Sequence, residues 1–114
     1  LDTCPAPIEM LPAIRAAVGP DMTVIVDSGL RRGSDFVKAR ALGADAAMSG
    51  RATLYGLAAG GKAGAARALE IIRSEIERTL GLIGCPVLAR RSAQWVSNAA
   101  THPREYEPML ERAR

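Results

Sequence analysis

Residues 22–35 read Met22-Thr23-Val24-Ile25-Val26-Asp27-Ser28-Gly29-Leu30-Arg31-Arg32-Gly33-Ser34-Asp35. The first five form a short β-branched run that is apolar on both faces, the pattern of a strand buried in a parallel sheet. Asp27 ends the run, and Ser28 to Gly33 reads as a loop with two glycines. Ser34 is placed to N-cap a helix reaching about Leu42, with Phe36, Val37, Ala41 and Leu42 as its apolar positions and Gly43 as its stop. Strand, loop and helix in this order form the repeating step of a parallel α/β fold.

The flanking sequence extends that pattern. Upstream, Ile8, Leu11, Ile14 and Val18 recur at helical spacing and stop at Gly19-Pro20. Pro12 lies inside this segment, so the helix either starts near Met10, with Pro12 in its first turn, or bends there. Downstream, Ala46-Ala47-Met48-Ser49 is assigned as a second strand from its place in the pattern, because alanine has little β-propensity. A short helix is expected from Arg51 through Leu54 and Leu57 to Ala59. After Gly60-Gly61 the longest helix follows, about Ala63 to Leu82, with Ala65, Ala68, Leu69, Ile72, Ile76 and Leu80 as its apolar stripe. Arg67, Glu70, Arg73 and Glu77 take its other faces. Past Cys85-Pro86 the periodicity fades. Residues 87–114 are expected to form an irregular tail with a short terminal helix, leaving 1–86 as the ordered segment. The fold class is α/β, and two buried strands are too few for a stable sheet, so the segment is expected to complete a larger one.

Composition narrows the function. Hydrophobic residues make up 48% of the 114 and aromatic residues only 4%, so the core must be built by close approach of helices to strands rather than by large rings. A net charge of +3 lacks the dense basic face, interleaved with aromatic residues, of a nucleic-acid binder, and no nucleic-acid partner is expected. Cys4 and Cys85 have no metal-ligand spacing and the single histidine, His102, leaves a zinc site without material, so neither a metal nor a disulfide is expected. The uncharged run Thr79 to Ala89 is too short and too broken by Gly81, Gly84 and Pro86 to span a bilayer. No targeting peptide is visible at Leu1-Asp2-Thr3-Cys4, and the start at leucine points to a part upstream. Reduced thiols and no membrane segment fit a cytoplasmic protein.

The chemistry is concentrated in two loops, each directly after a predicted strand: Asp27-Ser28-Gly29-Leu30-Arg31-Arg32-Gly33 and Gly50-Arg51. In parallel α/β folds ligands bind beyond the carboxyl ends of the strands. Glycine there lets backbone N–H groups approach an anion, and a helix starting at Arg51 aims its positive end at the same place. Arginine adds a planar fork for two phosphate oxygens. Either loop alone reads as ordinary surface: Asp27 could cap a turn, and Arg32 could pair with Asp35. Two such loops on successive strands match the phosphate site of (β/α)₈ barrels.

From Val26 to Asp35, through Ala41-Leu42-Gly43-Ala44, Gly50-Arg51 and Ala52-Thr53-Leu54-Tyr55-Gly56-Leu57-Ala58-Ala59, to Ile83-Gly84-Cys85-Pro86, the chain resembles the C-terminal part of FMN-dependent α-hydroxy-acid dehydrogenases and oxidases. The resemblance covers roughly residues 1–86. Ser28, where many members have glycine, and the run at 52–56 look most like the mandelate dehydrogenase branch. It implies the stretch from helix 6 to helix 8 of a (β/α)₈ TIM barrel. It also implies FMN as cofactor, with its phosphate held by Asp27, Ser28, Gly29, Leu30, Arg31, Gly50 and Arg51.

The family motif that carries the catalytic base ends in Leu-Asp, the dipeptide Leu1-Asp2 with which this chain begins. The histidine base and the arginine that grips the substrate carboxylate are therefore expected just before residue 1, and no catalytic residue is assigned within the chain. His102, in the tail beside Pro103, is read as a solvated surface residue. The implied parent oxidises a small 2-hydroxy acid, mandelate- or lactate-like, as a homo-oligomer that could associate peripherally with a membrane. A non-catalytic fragment and a phosphate-binding barrel with other chemistry are the alternatives.

Overall fold

A computed structural model describes residues 3–85 together with 95 and 96. Its elements are α1 (Pro7–Val18), β1 (Ile25–Val26), α2 (Gly33–Ala41), β2 (Ala46–Ala47) and α3 (Arg51–Leu82). β1 and β2 pair in parallel, with Ile25 opposite Ala46 and Val26 opposite Ala47. The order and parallel sense agree with the alternation in the sequence, and both glycine–arginine loops leave the same end of the sheet. The strands are shorter than 22–26 and 46–49, two residues each. The tail at 87–114, with its expected short helix and His102, lies almost wholly outside the described residues.

α1 starts at Pro7, not near Met10, and Pro12 sits in its interior. Proline at the first helical position loses no bond, because that N–H has no partner in any helix. The Glu9 carboxylate accepts the Ala6 N–H at 3.1 Å, which satisfies one N-terminal donor. The helix stops at Gly19, whose φ of 72° lies in the left-handed region and whose N–H bonds back to the Arg15 carbonyl at 3.1 Å. α2 begins one residue before the expected cap: Arg32 is the N-cap and Ser34 lies inside the first turn. The Asp35 carboxylate takes the role assigned to Ser34, accepting the Arg31 and Arg32 N–H groups at 3.0 Å each.

The two helices expected at 51–59 and 63–82 are the two arms of α3, separated by a sharp break where Gly60 (φ −151°, ψ 25°) and Gly61 (φ 57°, ψ −145°) leave helical geometry. The arms fold back until Gly56 and Gly64 touch backbone to backbone; a Cβ on Gly64 would stand 2.0 Å from the Gly56 carbonyl oxygen. No side chain larger than hydrogen fits there. α2 approaches the second arm as closely, since a Cβ on Gly33 would meet the Ile76 nitrogen at 2.4 Å. The Gly33 N–H donates to Glu75 at 2.7 Å, and Arg32 pairs with the same carboxylate at 3.6 Å rather than with Asp35.

Leu11, Val26, Leu30, Ala39 and Ala44 form the buried centre, with Ile8, Val24, Phe36, Leu42 and Ala47 packed around it. Ile72 is buried on α3, but Leu69, placed on the same stripe by periodicity, is 55% exposed. Ile25 is 56% exposed, so only one face of β1 is covered, against the expectation of a strand buried on both. A two-stranded sheet has too few neighbours to cover its second face. Among the described residues no helix is long and apolar enough to cross a membrane.

Arg15 ties these elements together at the amino ends of the strands. Its Nε donates to the Gly43 carbonyl at 2.8 Å, and Nη1 donates to the Gly19 and Met22 carbonyls at 2.9 and 2.8 Å. Nη2 pairs with Asp45. We expect Arg15→Ala to lower the unfolding free energy of the protein by about 2–4 kcal/mol, since several partly buried charge-assisted bonds go at once. Arg15→Lys should recover only part of this, because an ammonium cannot span the same acceptors. Urea unfolding of the two variants checks both.

Candidate functional site

The loop after β1 is shaped by two successive residues in the left-handed region, Ser28 at φ 76° and Gly29 at φ 83°. Ser28 is the one non-glycine residue with positive φ among those described. Asp27 stabilises the turn from its side chain, accepting the Ser28 N–H at 2.7 Å. Leu30 then turns inward to 7% exposure and anchors the loop in the core. Asp35 holds the far end through the Arg31 and Arg32 N–H groups. Gly29 has open space where a Cβ would be, so its backbone is accessible to a ligand.

The loop after β2 is shorter. Met48 continues the ladder, its N–H reaching the Val26 carbonyl at 2.9 Å, and the chain passes through Ser49 and Gly50 into α3. The Leu54 N–H bonds to the Gly50 carbonyl at 3.0 Å, and the Thr53 hydroxyl donates to the same oxygen at 2.8 Å. The N–H groups of Arg51, Ala52 and Thr53 are therefore the unsatisfied donors of a helix N-terminus. A Cβ on Gly50 would also meet nothing within 4 Å.

All seven residues singled out in the sequence, Asp27, Ser28, Gly29, Leu30, Arg31, Gly50 and Arg51, line one cavity of about 220 Å³ at the carboxyl ends of the two strands. Met48 lines it as well. Sequence reading passed over Met48, although its place just before the Gly-Arg pair at a strand's end was a usable signal. Arg31 and Arg51 form no ion pair among the described residues, in contrast to Arg15, Arg32, Arg40, Arg67 and Arg73, which all do. Two uncompensated guanidinium groups, glycine-opened backbone and a free helix N-terminus converge on one small space. Such a set has donors suited to a multiply charged oxyanion. Among the described residues no cluster of acidic, histidine or cysteine side chains could hold a metal.

The fold and site together define a parallel β/α unit with a glycine- and arginine-lined cavity at its strand ends. A family model for FMN-dependent dehydrogenases matches residues 1–98. The chain belongs to that family. It is 48% identical over 98 residues to (S)-mandelate dehydrogenase of Pseudomonas putida, covering 86% of this chain and 24% of that protein. It is 55% identical over 84 residues to pre-mycofactocin synthase of Mycobacterium tuberculosis, covering 74% of this chain and 21% of that protein. L-lactate oxidase of a Roseobacter species matches at 48% over 89 residues, 78% of this chain and 24% of that protein. The structure superposes on that of the monotopic membrane protein (S)-mandelate dehydrogenase with a TM-score of 0.81 at 48% identity, over 86% of this chain and 26% of that one. The chain thus spans about a quarter of the length of these relatives.

Asp35 shapes the cradle without lining it. Asp35→Ala should cost about 1–2 kcal/mol of stability, the usual loss for an N-terminal helix cap. It should also raise amide exchange at Arg31 and Arg32, which hydrogen exchange followed by mass spectrometry reads directly.

Proposed function

We propose that this chain is the flavin-phosphate-holding part of an FMN-dependent 2-hydroxy-acid dehydrogenase or oxidase, running from helix 6 to helix 8 of its (β/α)₈ barrel. On this reading α1 is helix 6, β1 and β2 are strands 7 and 8, and α2 and α3 are helices 7 and 8. Residues 1–86 form the barrel segment and 87–114 its tail. The observation that carries the proposal is that Asp27, Ser28, Gly29, Leu30, Arg31, Gly50 and Arg51 all line one cavity. At about 220 Å³ it is smaller than the roughly 300–1,000 Å³ of pockets that enclose a whole drug-sized ligand, so it suits one end of a flavin.

The residues fit a phosphate. Arg31 and Arg51 supply charge and paired N–H donors, the amides at 51–53 add the helix N-terminus, and Gly29 and Gly50 leave the approach open. Asp27, Ser28 and Leu30 hold the loop in shape. FMN, when bound, accepts the hydride equivalent removed from the α-carbon of the 2-hydroxy acid. This chain binds and orients, and no catalytic residue is assigned within it. The whole enzyme would turn a mandelate- or lactate-like acid into the 2-oxo acid, as a cytoplasmic homo-oligomer able to associate peripherally with a membrane. Substrate choice lies outside this segment, because relatives named for mandelate, lactate and pre-mycofactocin match it about equally well.

Two outcomes test the assignment. In the full-length flavoprotein Arg51→Ala should weaken FMN binding by about tenfold to a hundredfold, since a charge-assisted hydrogen bond contributes about 1.5–3 kcal/mol. Arg51→Lys should recover only part of this, and turnover per bound flavin should hardly change, because the phosphate end is remote from the reacting ring. Titration of apoprotein with FMN, followed by assay, reads both; unchanged affinity in Arg51→Ala would rule out the cradle. The 114-residue chain by itself, mixed with FMN and mandelate or lactate, should bleach no flavin above the free-flavin background, since loss of a general base removes about 10²–10⁴ in rate.

A further inference from the structure

The two cradle arginines border more than one cavity. Beside the phosphate cavity lies a second of about 210 Å³, lined by Arg31, Arg51, Ala52 and Tyr55. Tyr55 is four residues beyond Arg51 on α3, so the two side chains share a helix face. A helical side chain leans over the turn N-terminal to its own Cα, which places the Tyr55 ring over the turn that begins at Arg51. Tyr55 is 65% exposed, with no hydrogen bond from its hydroxyl among the described residues. Among the described residues Arg51 has no acidic partner to order it, although it must be ordered to grip a phosphate.

We propose that Tyr55 is a positioning residue for the cradle: its ring is the platform that holds the Arg51 guanidinium toward the anion. This rests on the flavin-phosphate reading above and adds to it a residue that does not itself touch the phosphate. An arginine stacked on an aromatic face gains a cation–π attraction and loses rotamer freedom before the ligand arrives. Such a stack would leave the edge N–H groups of the guanidinium free for phosphate oxygens. An acidic partner would order Arg51 too, but would cancel the charge that attracts the phosphate.

The test compares two ligands in the full-length apoprotein, FMN and riboflavin, which differ by the phosphate. Tyr55→Ala should weaken FMN binding about two- to fivefold, the factor expected for one exposed cation–π contact, and leave riboflavin binding unchanged. Tyr55→Phe keeps the ring and should keep the parent's FMN affinity. In an Arg51→Ala background, Tyr55→Ala should cause no further loss, because the coupled partner is already gone. The proposal is overturned if Tyr55→Ala leaves FMN affinity unchanged, weakens riboflavin equally, or adds its full effect to Arg51→Ala. It is also overturned if Tyr55→Phe loses as much as Tyr55→Ala. An Arg51→Ala protein that binds FMN normally overturns the cradle reading and this proposal together, whereas a normal Arg51 effect with an inert Tyr55 overturns this proposal alone.

Discussion

The pair of Arg15 and Asp45 is the constraint on which the site depends. Asp45 accepts the Val24 N–H at 2.9 Å on the same oxygen that faces Arg15, and the Asp45 N–H returns to the Val24 carbonyl at 2.8 Å. Those contacts clamp the residue before β1 to the residue before β2 and so set the register of Ile25 on Ala46. Arg40 reinforces the clamp from α2, donating to the Ala44 carbonyl at 2.7 Å. A shift of one residue would turn Val26 out of the core and carry Asp27 away from Gly50. The cavity at one end of the strands is thus positioned by an ion pair at the other. Gly43 belongs to the same arrangement: its φ is 114°, and a Cβ there would press on Arg15 at 2.8 Å.

With only 4% aromatic residues, the segment gains its packing from proximity. Gly33 lets α2 lie against α3, and Gly56 and Gly64 let the two arms of α3 touch. Close approach brings many small dispersion contacts in place of a few large ones. It also separates duties along α3. The first arm keeps its N-terminus and Arg51 at the site, while the second supports α2 through Glu75 and Ile76.

A segment that held a cofactor's phosphate, as proposed for this one, would be insulated from the choice of substrate. The phosphate is the same whatever acid the flavin oxidises, so the donors that bind it need not change when the substrate does. Relatives named for different substrates match this chain at 48–55% identity, which fits such insulation.

Much of this was legible along the chain. Glycine and proline punctuate every element, the β-branched run marks β1, and glycine beside arginine after each strand marks the loops that line the cavity. These signals act over a few residues, through allowed dihedrals and local charge, so a linear reading captures them. The alternation of elements also implies parallel pairing without any contact being known. The remainder depended on partners far apart in the chain. Nothing local distinguishes Arg15 from Arg67, yet one is 14% exposed and bonded to four groups and the other is 71% exposed with a single acidic neighbour. Periodicity assigned Leu69 to the buried stripe, but the break at Gly60-Gly61 and the place of α2 decide which face of α3 is covered. Ser34 looked like the helix cap until Asp35, one residue on, proved able to reach two N–H groups at once. Residue order determined the elements and the chemistry in their loops, because dihedral preference and charge are properties of neighbours. Register, burial and the convergence of Arg31 with Arg51 were decided only in three dimensions, because they depend on contacts between residues some twenty to forty positions apart.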